Sequence, residues 1–421
     1  MSKLGYYGSP RITSEFADCS LPITFDDKSN CGFNCAYCFS QYIRGVGPSK
    51  TNYDDKNIKT VSIENVKKIF IGKTKTGYSE WIKAKKPIQW GGLSDPFCHL
   101  EKKLGTTLEL LKFFNEIEYP MSFSSKGDLP ISDKRYFEEF KKAGDRWHFK
   151  GSIITLDDKA SRLIEMGTPT PKRRIEVLER LHKECGTLTT WRMRPWVVGV
   201  TEKSLPEIIK TAKRIGCQSI TTEFYCLDTR AFGRKESIEN YKRISKAMNY
   251  SVLKFYKTNG TGSGYLRLDY EFLKPLVNEY IRLCKEVGLP YFISDAKHKE
   301  KGCGGSCCGL LPNNKHFSGY AKSQMSNMIY IAKEKGTLTL DDVLSLSDKA
   351  EESFRKNTKI EKYMNIGNKR SKVKNMSYHD YFIRLWNNGF FERYFEGLLK
   401  VSGKDRSGNV VYFFNYKKAK L

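Results

Sequence analysis

Cysteines stand at Cys31, Cys35 and Cys38 in the run CGFNCAYC, separated by three residues and then by two. Thiolates are ligands for soft metals, so the question is which metal chemistry three of them can support. Structural zinc takes four ligands, commonly as two pairs, and no CxxC or HxxxH partner lies near residues 31–38. That weighs against a zinc prop. A four-iron cubane also wants four ligands. Three thiolates on one loop suit a [4Fe–4S] cluster in which one iron stays open to a substrate or cofactor.

A second cluster, KGCGGSCCGL, places Cys303, Cys307 and Cys308 among glycines at 302, 304, 305 and 309. Glycine removes Cβ crowding and lets backbone fold closely around a metal. Three readings stand open: an auxiliary iron–sulfur cluster, a zinc site completed by His298 or His316, and thiols that donate hydrogen to a radical. Cys98, Cys185, Cys217 and Cys284 are isolated and read as buried small hydrophobes. The run MSKLGYYGSPRITSEF lacks the apolar core of a signal peptide, and no apolar stretch approaches the ~20 residues of a membrane span. A cytoplasmic location without membrane association is expected, and there twelve cysteines point to metal and packing rather than disulfides.

The elements that must position these groups alternate from about residue 20. Short β-rich runs are LPITF (21–25), PIQWGG (87–92), MSFSSK (121–126), FKGSIIT (149–155), TTWRMRPWVVGV (189–200) and SITTEFY (219–225). Between them lie helix-like runs such as PKRRIEVLERLHKECG, where Ile175, Leu178 and Leu181 recur at helical spacing between Pro171 and Gly186. The pattern predicts an α/β fold, a partial (βα)6 TIM-like barrel. In such barrels function sits in the loops after the strands' C-terminal ends, and Cys31 follows the first strand. The 421 residues divide into an expected barrel core (1–228), a helical extension with the Cys-rich segment (229–327) and a basic tail (328–421). TNGTGSGY (258–265) lacks the lysine and helix of a P-loop and reads as a mobile loop. In the tail, SQMSNMIYIAKEKGTLTLDDVLSLS predicts a helix, a turn and a second helix near Thr339. A β-hairpin follows around Asp405 to Gly408, an order like that of a winged helix.

The formal charge of +26 exceeds what solubility needs and points to an anionic partner such as nucleic acid. Tyr37, Phe39 and Tyr42 would stack on an extruded base or pack around a cluster.

CGFNCAYC, with Tyr37 before its last cysteine, resembles the CxxxCxxC motif of the radical S-adenosylmethionine (radical SAM) enzymes. The resemblance implies a [4Fe–4S] cluster on Cys31, Cys35 and Cys38. It also implies SAM chelated at the open iron, reductive cleavage to a 5′-deoxyadenosyl radical, hydrogen abstraction, and a reductase or a flavodoxin- or ferredoxin-type electron donor. Over roughly residues 20 to 200 the chain is similar to spore photoproduct lyase and its relatives. In PIQWGGLSDPF, Gly91 and Gly92 stand where backbone meets the SAM amino group. Lys126 in FSSKGDL and Ser152 in GSIIT stand where side chains of those enzymes approach SAM, and the arginines of RMRPWVVGVT, Arg194 among them, would contact SAM or a phosphate. The likeness suggests a lyase or a modifying enzyme acting on a nucleobase in DNA. One departure is clear: GGLSD carries glycine where those lyases have the cysteine that returns hydrogen, and Cys98 lies six residues beyond Gly92. Candidate donors are then Cys303, Cys307 and Cys308. The alternatives are a radical SAM enzyme that modifies a peptide or small metabolite, and a non-catalytic zinc-dependent nucleic-acid-binding protein.

Overall fold

The computed structural model describes residues 10–12, 19–40, 58–229, 235–262, 265–318, 322–359 and 375–420. Its centre is an eight-stranded sheet in the order β1 (Arg11–Ile12), β2 (Ile23–Phe25), β3 (Ile88–Trp90), β4 (Met121–Ser125), β5 (Trp147–Ser152), β6 (Leu188–Trp196), β7 (Ser219–Phe224) and, last, the strand Tyr291–Ile293. Strands β2 to β7 are parallel and in chain order, so each connection must cross over. Helices such as Thr106–Glu116, Lys134–Ala143, Pro171–Cys185 and Leu205–Arg214 fill those crossovers. β1 lies antiparallel on β2, and Tyr291–Ile293 extends the sheet parallel to β7. These two strands are its edges, so the α/β barrel is partial, as the alternating pattern predicts.

Trp90, Phe123, Trp147 and Trp191 are buried on the helix-facing side of the sheet. Trp90 meets Phe114 at 5.7 Å between ring centroids, and Phe140 meets Trp147 at 5.1 Å. Each such aromatic contributes about 1.5–3 kcal/mol by burial. The alternate positions Thr24, Gln89, Ser124, Ser152, Arg192, Arg194 and Glu223 line the interior. Barrel interiors are ordinarily packed with branched apolar residues; this one is polar and charged.

Helix Pro171–Cys185 shows how local sequence fixes the frame. Thr170 accepts from the Arg173 amide, Pro171 opens the helix, and Gly186 closes it at φ +68°. Its buried face carries Leu178 and Leu181 as predicted, and Arg174 in addition. The expected strand 189–200 stops at Trp196, because the Thr201 hydroxyl accepts from Val197 and the chain turns there.

The lower lumen is closed by side-chain hydrogen bonds running from Ser122 to His148 (3.0 Å), to Thr190 (2.8 Å) and to Ser219 (2.9 Å). The Ser219 hydroxyl donates onward to the Gly309 carbonyl at 2.8 Å, so residues 306–310 plug the barrel floor.

Beyond β7, Leu227–Asp228 (β8), Gly260–Thr261 (β9) and Tyr265–Leu268 (β10) form a small sheet in the order β8–β10–β9. It takes in part of the glycine-rich TNGTGSGY run, of which Ser263 and Gly264 lie outside the described residues. Counting Tyr291–Ile293 as β11, the tail has the helices Met325–Lys335, Leu340–Leu344, Lys349–Asn357 and Tyr378–Asn387. They accompany a three-stranded sheet in the order β12 (Thr337–Leu338), β14 (Val410–Phe414), β13 (Leu399–Lys404). Thr339 begins its helix with a capping box to Asp342. The hairpin turn is tied by Asp405, which accepts from the Ser407 and Asn409 amides at 2.8 and 2.9 Å. The tail packs on the barrel through Trp81 and Phe354 (5.5 Å) and a Lys86–Asp348 ion pair of 2.6 Å. No described helix is long and apolar enough to cross a membrane.

Candidate functional site

Cys31, Cys35 and Cys38 sit on the loop leaving β2 and line a cavity of about 310 Å³ at the mouth of the barrel. The loop is held from behind by the segment joining β5 to β6. The Ala36 amide donates to the Ile164 carbonyl (2.8 Å), and the Gly167 amide to the Phe33 carbonyl (3.1 Å). The buried Tyr37 hydroxyl donates to Glu165, whose carboxylate also meets Arg174 at 2.6 Å. Burial pushes Glu165 upward, but Arg174, Lys126 and the Tyr37 hydroxyl together outweigh it and hold the carboxyl below its ordinary value. Burial raises the Cys35 thiol to about 12, with Lys126 opposing the shift.

The remaining walls come from the next strand ends. Gly91 and Gly92 follow β3 in a turn whose Leu93 and Ser94 amides donate to Asp26 at 2.7 and 2.9 Å. Asp95 reaches the next strand: the Ser125 hydroxyl and the Lys126 amide each donate to its carboxylate at 2.7 Å. That bond sets the chain direction at Lys126, whose ammonium lies 5.5 Å from the Tyr37 ring centre. Ser152, at the end of β5, is buried on the lining, and its carbonyl accepts from Arg174 at 2.7 Å. Arg194 pairs with Glu223, with its Nε donating at 2.7 Å. Arg192, one layer deeper on β6, is lowered to about 10 by burial and then by Arg194.

The structure therefore brings Tyr37, Gly91, Gly92, Lys126, Ser152, Arg194 and the first three cysteines to one cavity. It treats the second cluster unevenly. Cys307 and Cys308 line the cavity, whereas Cys303 is exposed and takes the Tyr291 amide on its sulfur at 3.5 Å. Cys19 joins the two lining thiols on the cavity wall and packs in the same small cluster. His298 stacks on Tyr270 at 4.3 Å, and His316 faces Asp145 at 3.4 Å; neither lines the cavity. Phe39 does, at 47% exposure, and Tyr42 lies outside the described residues. Cys98 is buried and does not line the cavity.

Sequence reading missed Cys19, Asp26, Glu165, Arg174 and Glu223, and had Arg192 only as one of the arginines of RMRPWVVGVT. Asp26 and Arg192 carried a usable signal, a charged residue at or just after a β-rich run. Glu165 and Arg174 sit in an ordinary helical pattern and carried none.

The residues present fit an iron–sulfur cluster with a chelating ligand beside it. The donor set is three thiols of one loop. On the adjoining wall the hydroxyls of Thr24 and Ser124 are buried without a hydrogen-bond partner. A Cβ on Gly91 would lie 2.6 Å from the Ser124 carbonyl oxygen, and one on Gly92 2.6 Å from Thr24 Oγ1, so only bare backbone fits there. Among the described residues no three cysteine, histidine or carboxylate side chains close around a single metal ion.

No protein-family model matches the sequence, and a search of curated proteins finds no match. Among solved structures the chain is similar to Streptococcus suis SuiB bound to S-adenosylmethionine, with 12% identity and a TM-score of 0.40 over 65% of this chain and 51% of that one. It is similar to the radical S-adenosylmethionine methyltransferase TsrM from Kitasatospora setae, with cobalamin and a [4Fe-4S] cluster bound, at 12% identity and a TM-score of 0.33. That match covers 48% of this chain and 34% of the other. Methylornithine synthase (PylB) matches at 12% identity and a TM-score of 0.34 over 65% and 70% of the two chains. The chain thus spans about half the length of SuiB.

Proposed function

We infer that the chain is a radical SAM enzyme. The observation that carries the reading is the convergence of Cys31, Cys35 and Cys38 with Gly91, Lys126 and Ser152 around one cavity at the C-terminal mouth of a parallel barrel. A [4Fe–4S] cluster on those thiolates, with SAM at its open iron, supplies reductive cleavage of the sulfonium and a 5′-deoxyadenosyl radical. The protein's own part is positional. The Glu165–Arg174 pair braces the cysteine loop, Gly91 and Gly92 offer bare backbone to an amino group, and Lys126 offers its charge to a carboxylate. Ser152 adds a hydroxyl at the strand end. Arg194, oriented by Glu223, faces the same space. A low-potential flavodoxin- or ferredoxin-type donor is the partner this chemistry requires.

The substrate reading is a nucleobase in DNA, in the manner of spore photoproduct lyase-like enzymes. The net charge of +26 supports it. So does the tail, where the order helix, strand, helices and hairpin, with β14 between β12 and β13, is like that of a winged helix. The exposed hairpin residues Lys400 and Lys404 would meet phosphates.

The test is anaerobic. Protein reduced with dithionite should convert SAM to methionine and 5′-deoxyadenosine, and a C31A/C35A/C38A variant should not. Absence of cleavage by an iron-loaded wild type would refute the class. For the substrate, DNA affinity should fall steeply and linearly in log–log form as salt rises. No binding at low salt would leave a peptide or small metabolite as the substrate.

A further inference from the structure

We propose that Cys19, Cys307 and Cys308 hold a second iron–sulfur cluster on the floor of the cavity. The site is independent of Cys31, Cys35 and Cys38, which lie at the mouth of the same space.

Three observations carry it. First, the thiols are brought together deliberately. Cys19 comes from the segment before β2, packs with Cys307 and Cys308 in one small cluster with Leu21, Leu310 and Phe317, and lines the same cavity. The two segments are fastened next door by Ser20 and Ser306, whose hydroxyls meet at 3.0 Å. The plug is held to β7 as well: Thr221 donates to the Cys307 carbonyl at 3.0 Å and Ser219 to that of Gly309 at 2.8 Å. Gly309 takes φ +72°, and a Cβ there would lie 2.5 Å from the Ser219 hydroxyl. The glycines of CGGSCCG thus let this segment enter the lumen.

Second, the surroundings are cationic. Lys150, 1% exposed, together with Arg192 and Arg194, faces the three thiols from β5 and β6. Glu223 answers Arg194. Lys150 Nζ and the Cys308 thiol both donate to the Gln89 side-chain oxygen, at 3.5 and 3.6 Å. A centre bound by three thiolates carries the negative charge the lumen lacks, and lysine and arginine around its sulfurs are what such a centre requires.

Third, the adjacency of Cys307 and Cys308 favours a cluster over a single ion. Among the described residues no three such side chains close around one ion, and this holds equally for Cys31, Cys35 and Cys38. Adjacent cysteines fit one tetrahedral ion poorly, but a cluster gives Cys307 and Cys308 different irons. The thiols now donate weakly, Cys19 to the Leu21 carbonyl at 3.2 Å and Cys308 to Gln89 at 3.6 Å, and both protons would leave on binding. All three line the cavity, so an iron without a protein ligand would face the reaction space.

The test is iron and sulfide analysis with Mössbauer spectroscopy on the full-length chain, purified anaerobically and reconstituted with iron and sulfide. The C31A/C35A/C38A variant should keep about two to four irons per chain with cluster spectra. Adding C308A, or C308S where alanine lowers solubility, should remove them. C303A should leave the wild-type iron content unchanged, since Cys303 is exposed and does not line the cavity. The proposal is overturned if C31A/C35A/C38A folds, by circular dichroism, without iron, if its iron survives loss of Cys19, Cys307 and Cys308, or if the residual metal is zinc. The reading of the first site fails on a different sample: a folded C19A/C307A/C308A variant that holds no iron.

Discussion

Arg174 meets Glu165 at 2.6 Å with both side chains almost wholly buried, and the same carboxylate takes the Tyr37 hydroxyl. The contact joins the cysteine loop to two helices of the barrel. Removing one partner would leave the other charge buried and unpaired, which typically costs about 3–5 kcal/mol. E165Q and R174M should therefore lower the denaturant midpoint and weaken retention of the cluster. The double variant E165Q/R174M should cost less than the sum of the two. Additive losses would mean that the pair is not coupled.

Gly91 offers a backbone test of the SAM wall. Its φ of +93° and the 2.6 Å approach of a would-be Cβ to the Ser124 carbonyl leave no room for a side chain. G91A should destabilise the fold by about 1–3 kcal/mol and weaken SAM binding. Gly72 has a similar φ of +77° but nothing within 4 Å. G72A should thus cost only about 1 kcal/mol, from backbone strain alone, with SAM affinity unchanged. Equal losses in the two variants, read by urea unfolding and equilibrium dialysis, would remove Gly91 from the site.

The barrel was legible because two periodicities alternate along the chain: β-rich runs of a few residues, then helical runs bounded by residues such as Pro171 and Gly186. The cysteine loop was legible because its three cysteines are close in sequence. What the sequence hid is contact between distant segments. Nothing near Cys19 hints that it meets Cys307 and Cys308, since that meeting depends on the plug entering the lumen. Nor does spacing separate Cys303 from Cys307: a turn after β11 sends the first outward and leaves the second inside. Glu165 was hidden because a buried carboxylate and an exposed one look alike in a polar helical stretch.

Stability should fall as pH rises through the neutral range. Burial, then the Glu223 carboxylate, raises Asp295 from an ordinary 3.8 to about 7. Burial raises Glu300 from 4.5 to about 7. Between roughly pH 4 and 7 the folded chain then binds protons that the unfolded chain has released, so unfolding free energy decreases with rising pH and levels off above 7. Asn at 295 keeps an acceptor for the Phe224 amide, now 3.1 Å from Asp295. D295N/E300Q should therefore be flatter between pH 5 and 8 than wild type, by an amount on the order of 5 kcal/mol at most. Parallel urea-unfolding curves for the two proteins across that range would show that neither carboxyl titrates there.

Lys126 gives the most direct test of where SAM lies. Its amide is fixed by Asp95 at 2.7 Å, so the main chain stays in place when the side chain is changed. Its ammonium stands over Tyr37 at 5.5 Å from the ring centre, beside the cysteine loop. A charge-assisted contact to a carboxylate in such a half-enclosed place contributes about 1.5–3 kcal/mol. K126M should weaken SAM binding to the iron-loaded protein by about tenfold or more, while iron content and the unfolding midpoint stay near wild type. K126R should recover part of the loss, because the charge returns with a different geometry. Calorimetry under anaerobic conditions reads all three proteins. Unchanged affinity in K126M would place the SAM carboxylate elsewhere on the wall, with Arg194 the next residue to test.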